Sequence, residues 1–120
     1  MTPRGLLLCD DLLFGSKVTV TARAAGLDVA MARSLGRFAT LAAESPPTAV
    51  ILDLQHAGLD LPALLAALPP TTRVVGFGSH TDAATLKAAR EAGCDLVLPR
   101  SKLVARVEAD IAGWLAPRSV

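Results

Sequence analysis

Five short apolar runs, each followed by a stretch of helical periodicity, constrain this chain more than any other feature. The runs are Leu6-Leu7-Leu8-Cys9, Leu27–Ala30, Ala49-Val50-Ile51-Leu52, Arg73-Val74-Val75-Gly76-Phe77 and Leu96-Val97-Leu98. A continuous apolar run of this length reads as a strand buried on both faces; Leu27–Ala30, interrupted by Asp28, is the weaker strand, and the fourth run opens on Arg73. Between and after them lie segments with helical signals. Leu12 to Ala25 carries Phe14, Val18 and Ala22 on one side and is closed by Gly26; its Val18-Thr19-Val20-Thr21 stretch has strand propensity, yet the periodicity fits a helix better. Ser34 caps a helix with Leu35, Phe38 and Leu41 on one face, ended by Pro46-Pro47. Leu61 to Leu68 is a short helix stopped by Pro69-Pro70. Thr81 or Asp82 caps a helix through Leu86 and Ala89, closed by Gly93. Ser101 caps a last helix lined by Leu103, Val107, Ile111 and Trp114. Five βα units imply right-handed crossovers and a parallel sheet covered on both faces, an α/β fold. The expectation is one domain spanning 1–120, without linker or repeat.

Composition narrows the function classes. Hydrophobic residues make up 52% of the 120 residues, enough for a core and against disorder. Aromatic content is 3%, with no Tyr, so the platforms of a base-stacking nucleic-acid binder are missing. The net charge is +1 and the basic residues form no stripe, so nucleic acid is not an expected partner. Cys9 and Cys94 form no CxxC pair and read as buried thiols of a reducing, cytoplasmic compartment. The apolar stretch near the N-terminus is too short for a signal peptide and is interrupted by Asp10-Asp11. No run approaches a membrane span.

Ligands of such a sheet bind beyond the carboxyl ends of the strands, where strand order reverses. Asp10 and Asp11 follow the first strand, and Asp53 follows the third. In the order 2-1-3-4-5 these strands are neighbours, and three carboxylates converge. Crowded carboxylates repel unless a cation compensates, and Mg²⁺ suits such a ligand set. Either Asp alone reads more simply as a helix cap or strand end; the set at two adjacent strand ends points to a site.

With those residues in place, the chain resembles the response-regulator receiver domain of two-component signalling over nearly its whole length. Cys9-Asp10-Asp11 resembles the family's acidic pair, and Ile51-Leu52-Asp53-Leu54 the strand bearing the phosphoacceptor. Ala57-Gly58-Leu59-Asp60 is similar to the family's Pro-Gly-Met-Asp turn, and Gly93-Cys94-Asp95 to its Gly-Ala-Asp. The resemblance implies a flavodoxin-like (βα)5 sandwich and weak Mg²⁺ binding by Asp10, Asp11, Asp53 and the Gln55 carbonyl. It implies Asp53 as phosphoacceptor, with Arg100 in place of the family's Lys. Implied partners are a histidine kinase or phosphotransfer protein and a separate output protein, with a homodimer as a further assembly.

The departures concern the switch. The family's Thr or Ser at the fourth strand's end falls on Gly78, with Ser79 one place late. The Pro after the Lys falls on Ser101, while Pro99 precedes Arg100. The aromatic switch residue falls on Val97. Gly has no hydroxyl for an acyl phosphate, and Arg is longer and planar where Lys is compact. The expectation is therefore an atypical receiver, not an enzyme, with Arg100 reaching back to Asp53. Two rivals are a phosphorylation-independent interaction module and a small metal-dependent phosphate-handling enzyme. The chain has no phosphate-cradling Gly loop for the latter: Gly76-Phe77-Gly78 lacks the third Gly. His56, Lys102, Arg106 and Arg118 read as solvated residues, and Ser79-His80 as no nucleophile–base pair.

Overall fold

The computed structural model describes residues 4–118. Five strands, β1 (Arg4–Leu8), β2 (Asp28–Ala32), β3 (Ala49–Asp53), β4 (Arg73–Gly78) and β5 (Leu96–Pro99), form one sheet. Its order is β2-β1-β3-β4-β5, and every pairing is parallel. The helices are α1 (Leu12–Ala24), α2 (Leu35–Glu44), α3 (Leu61–Ala66), α4 (Ala83–Ala92) and α5 (Arg100–Leu115). This is the flavodoxin-like arrangement expected from the sequence.

Strand residues alternate between two cores, as the pleat requires. Leu7, Ile51, Val75 and Phe77 face α1 and α5, where they meet Phe14, Val18, Leu103, Val107, Ile111 and Trp114. Leu6, Leu8, Val50, Leu52 and Val74 face Phe38 of α2 and the leucines of α3. Leu86 and Ala89 of α4 complete that second face with Leu54 and Val97. Trp114 is therefore core and not partner surface. The short α3 buries no residue fully, and an apolar groove of about 600 Å³ lies between it and α2.

Several boundaries differ from expectation for local reasons. β2 starts at Asp28 because Leu27 belongs to the end of α1: its N–H donates to the Ala22 carbonyl at 2.9 Å around Gly26, which has φ +76°. Asp82, not Thr81, caps α4, its carboxylate accepting from the Thr85 N–H. Ser101 does not cap α5. β5 runs through Pro99 straight into the helix, which begins at Arg100 with no side-chain cap.

Cys9 is fully buried and Cys94 half-buried, and both are free. Burial pushes the Cys9 thiol up, and pushes Cys94 up to about 11. Thiolate is the reactive form. Maleimide labelling of the native protein at neutral pH should therefore be slow at both positions, with rapid double labelling in denaturant. Fast native labelling of Cys9 would contradict this packing.

Candidate functional site

The site is assembled by three strand ends. Register places Leu8 of β1 beside Leu52 of β3, and Asp53 beside Phe77 of β4, so the residues that follow these strands share one edge. Asp53 itself is buried, 8% exposed. Its Oδ1 accepts the Gln55 N–H at 2.9 Å, which fixes the carboxylate at the start of the turn.

Asp11 is the N-cap of α1. Its Oδ1 accepts from the N–H groups of Leu13 and Phe14 at 3.0 and 3.1 Å. This is the ordinary work of an N-cap carboxylate, and it leaves Oδ2 aimed at the site. Arg100, at the first turn of α5, reaches back and forks between the two acids. Its Nη1 lies 3.2 Å from Asp11 Oδ2 and its Nη2 3.4 Å from Asp53 Oδ2.

The guanidinium is also held from below. Its central carbon stands 4.7 Å from the Phe14 ring centroid and 5.3 Å from that of Phe77. The two rings themselves pack at 4.6 Å, tilted by 34°. Cation–π attraction adds to the ion pairs where the face is partly desolvated. A positive side chain at a helix N-terminus is disfavoured by the helix dipole; here two carboxylates offset that cost.

The expected convergence of three carboxylates is corrected to two. Asp10 follows the buried Cys9 and turns to the outside, where its Oδ1 pairs with Arg33 Nη2 at 3.2 Å. Gln55, expected to offer its backbone carbonyl, also holds the neighbouring loop through its side chain: its Oε1 accepts the Ser79 N–H at 2.9 Å. Among the described residues no group of three or more His, Cys, Asp or Glu side chains is clustered to hold a metal ion. Both oxygens of Asp11 and both of Asp53 already have partners. As placed, this donor set does not fit a divalent cation, because the guanidinium supplies the positive charge between the acids.

The positions at which the sequence departs from the family pattern are also placed. Gly78 ends β4, and a Cβ there would lie 3.3 Å from Leu86 Cδ2 and 3.7 Å from Gln55 Oε1. The Ser79 hydroxyl faces away, 2.7 Å from Thr81 Oγ1, and accepts the Thr81 N–H at 3.2 Å. Val97 is buried against α4. A cleft of about 270 Å³ is lined by Gln55, Ser79, His80, Arg100 and Ser101.

Two contacts escape a reading of the sequence. His56 is not simply solvated: its ring nitrogens lie 3.1 Å from the Ala57 carbonyl and 3.0 Å from that of Arg33, tying the loop after β3 to the end of β2. The cradle of Phe14 and Phe77 beneath Arg100 pairs residues far apart in sequence. Its only trace is that each lies near one strand end.

No protein-family model matches the chain, and no curated protein does. Solved structures do match. The signal receiver domain of NarL from Mycobacterium tuberculosis superposes with TM-score 0.75 at 21% identity, over 93% of this chain and 94% of that one. A response regulator protein from Burkholderia pseudomallei, solved with a phosphorylated aspartic acid, calcium ion and citrate, gives 0.72 at 21%, over 92% and 69%. NtrX from Brucella abortus, in complex with ADP, gives 0.82 at 19%; 96% of this chain matches 26% of NtrX. No helix among the described residues is long and apolar enough to cross a membrane. Sheet order, helix placement and these neighbours together give this chain the fold of a response-regulator receiver domain.

Proposed function

We propose that this chain is a receiver-type signalling module that works by protein–protein contact, its acidic site held in one state by Arg100 instead of being switched by phosphate. The fork of Arg100 between Asp11 and Asp53 carries this reading. A phosphoryl group on Asp53 must displace the guanidinium from Oδ2 or share it. Little nearby would stabilise the displaced state. Gly78 offers no hydroxyl, the Ser79 hydroxyl is bonded to Thr81, and Val97 replaces a movable ring. A ligand shifts a conformational equilibrium only by its differential affinity for the two states, and here that differential is small. The partners in this reading are proteins of a phosphorelay, a histidine kinase or phosphotransfer protein and a separate output chain, which meet a surface already in place.

Slow phosphorylation of Asp53 is the second reading. It is favoured by a cleft lined by Arg100 and Gln55, both partners of Asp53, and by the phosphorylated aspartic acid of the Burkholderia neighbour, which shares the fold. Phosphoryl transfer requires an ionised acceptor and neutralisation of the incoming oxygens.

Incubation with acetyl phosphate and Mg²⁺, followed by intact mass spectrometry and amide NMR, separates the two. The expected result is little added phosphate over hours, with amide shifts confined to residues near Asp53. Fast stoichiometric modification that depends on Asp53, with shifts spreading into α4 and α5, would overturn the first reading in favour of the second.

A further inference from the structure

We propose that the Arg100 guanidinium is the resident counter-cation of the acidic site and excludes divalent metal ions from it. The proposal deepens the reading above and rests on the same site as its centre. A free pair of carboxylates at adjacent strand ends attracts Mg²⁺ because each acid, unpaired, raises the electrostatic cost of ionising the other. In this chain that demand is already met. One planar cation bridges the pair, at 3.2 Å from Asp11 and 3.4 Å from Asp53.

The bridging cation is fixed on several sides. The other oxygen of Asp11 is committed to the N-cap of α1, and the other oxygen of Asp53 to the Gln55 N–H. Phe14 and Phe77 lie under the guanidinium, so leaving the site costs it both ion pairs and its contact with the rings. Arg100 is anchored in the first turn of α5 with no intervening loop to relax. The third acid that could recruit a metal, Asp10, is paired with Arg33 on the other side of the strand end.

The guanidinium of Arg100 carries its positive charge between the two acids. A divalent ion entering beside it would meet a like charge a few ångströms away, in a setting that solvent screens incompletely. Exclusion therefore comes from occupancy and from repulsion together. Removing the guanidinium removes both and leaves a carboxylate pair free to take a hard cation, with water completing its shell.

The test is a titration with Mg²⁺, and separately with Mn²⁺, in the absence of any phosphodonor or partner. Amide NMR shifts, or paramagnetic broadening by Mn²⁺, are read at Asp11, Asp53 and Leu54. The wild-type protein is expected to show no saturable change at millimolar metal. Arg100→Gln, which keeps an extended polar side chain over the two rings, is expected to bind at least about tenfold more tightly. Adding Asp53→Asn to that variant should abolish the gain. Saturable binding by the wild type at Asp11 and Asp53 overturns the proposal by itself, whether or not the variant folds. A folded Arg100→Gln that binds no better than wild type overturns it too. Neither result touches the protein-contact reading, which is tested with the phosphodonor.

Discussion

Phe77→Ala is expected to destabilise the protein by about 3–5 kcal/mol, the range for truncating a buried aromatic side chain. Phe77 is fully buried near the C-terminal end of β4, in the core shared by α1 and α5. The loss has three parts. Apolar surface returns to water or becomes a cavity, the ring pair with Phe14 is broken, and Arg100 loses one of the two faces beneath its guanidinium. For a domain of this size the melting temperature should fall by roughly 10–20 °C. Phe77→Leu, which keeps most of the volume, should cost only about 1–2 kcal/mol. Urea denaturation of the three proteins checks both figures. A Phe77→Ala protein within about 1 kcal/mol of wild type would mean that this side of the sheet collapses around the gap.

The second large effect lies at the opposite end of the sheet. Asp95, just before β5, accepts the Val74 N–H at 2.7 Å and is clasped by Arg118, whose Nε and Nη2 both lie 2.9 Å from its carboxylate. Arg118 also donates to the carbonyls of Pro70 and Gly93, and its backbone N–H to that of Thr71. The residue expected to be solvated is thus a strap that holds the segment after α5 against the entries to β4 and β5. Asp95→Ala should cost about 2–3 kcal/mol, because it strands the Val74 N–H and releases the strap.

The pH dependence follows from the environment of the Asp95 carboxylate. Burial alone would raise its pKa, but the hydrogen bonds from Arg118 and Val74 outweigh burial and hold it below the ordinary carboxylate value. A carboxylate depressed in the folded state contributes stability that is complete above its unfolded pKa of about 4. That contribution is lost as pH falls through the lower, folded value. The difference between wild type and Asp95→Ala should therefore be full at pH 7 and shrink below about pH 4. A difference that stays constant down to pH 2 would show that the cost comes from lost packing and not from the ion pair.

Much of the fold is legible in the residues because parallel strands buried on both faces must be apolar without interruption. Ala49-Val50-Ile51-Leu52 states this plainly, and its neighbours in the sheet repeat it. The start of β2 is less legible, since Leu27 is as apolar as a strand residue yet closes α1 through its N–H. The start of α5 misleads in the other direction: Ser101 is a good cap by type, but Pro99 carries the chain into the helix two residues earlier. The site divides in the same way. Asp11, Asp53 and Arg100 can be placed from strand ends alone, because strand order brings those ends together. The outward turn of Asp10 cannot, since two adjacent acids look alike until one caps a helix and the other meets Arg33. Arg118 is illegible for a similar reason: its partners lie 23 and 48 residues away in the chain.

The Arg100 fork also bears on how the molecule comes together during synthesis. Arg100 is 89 residues after Asp11 and 47 after Asp53. When β1, β3 and β4 have paired, the two acids already face one another, but their counter-ion has not yet been delivered. Until then the two acids lack the guanidinium that lies between them in the finished fold. The final βα unit thus supplies both the last strand of the sheet and the cation that joins the ends of β1 and β3.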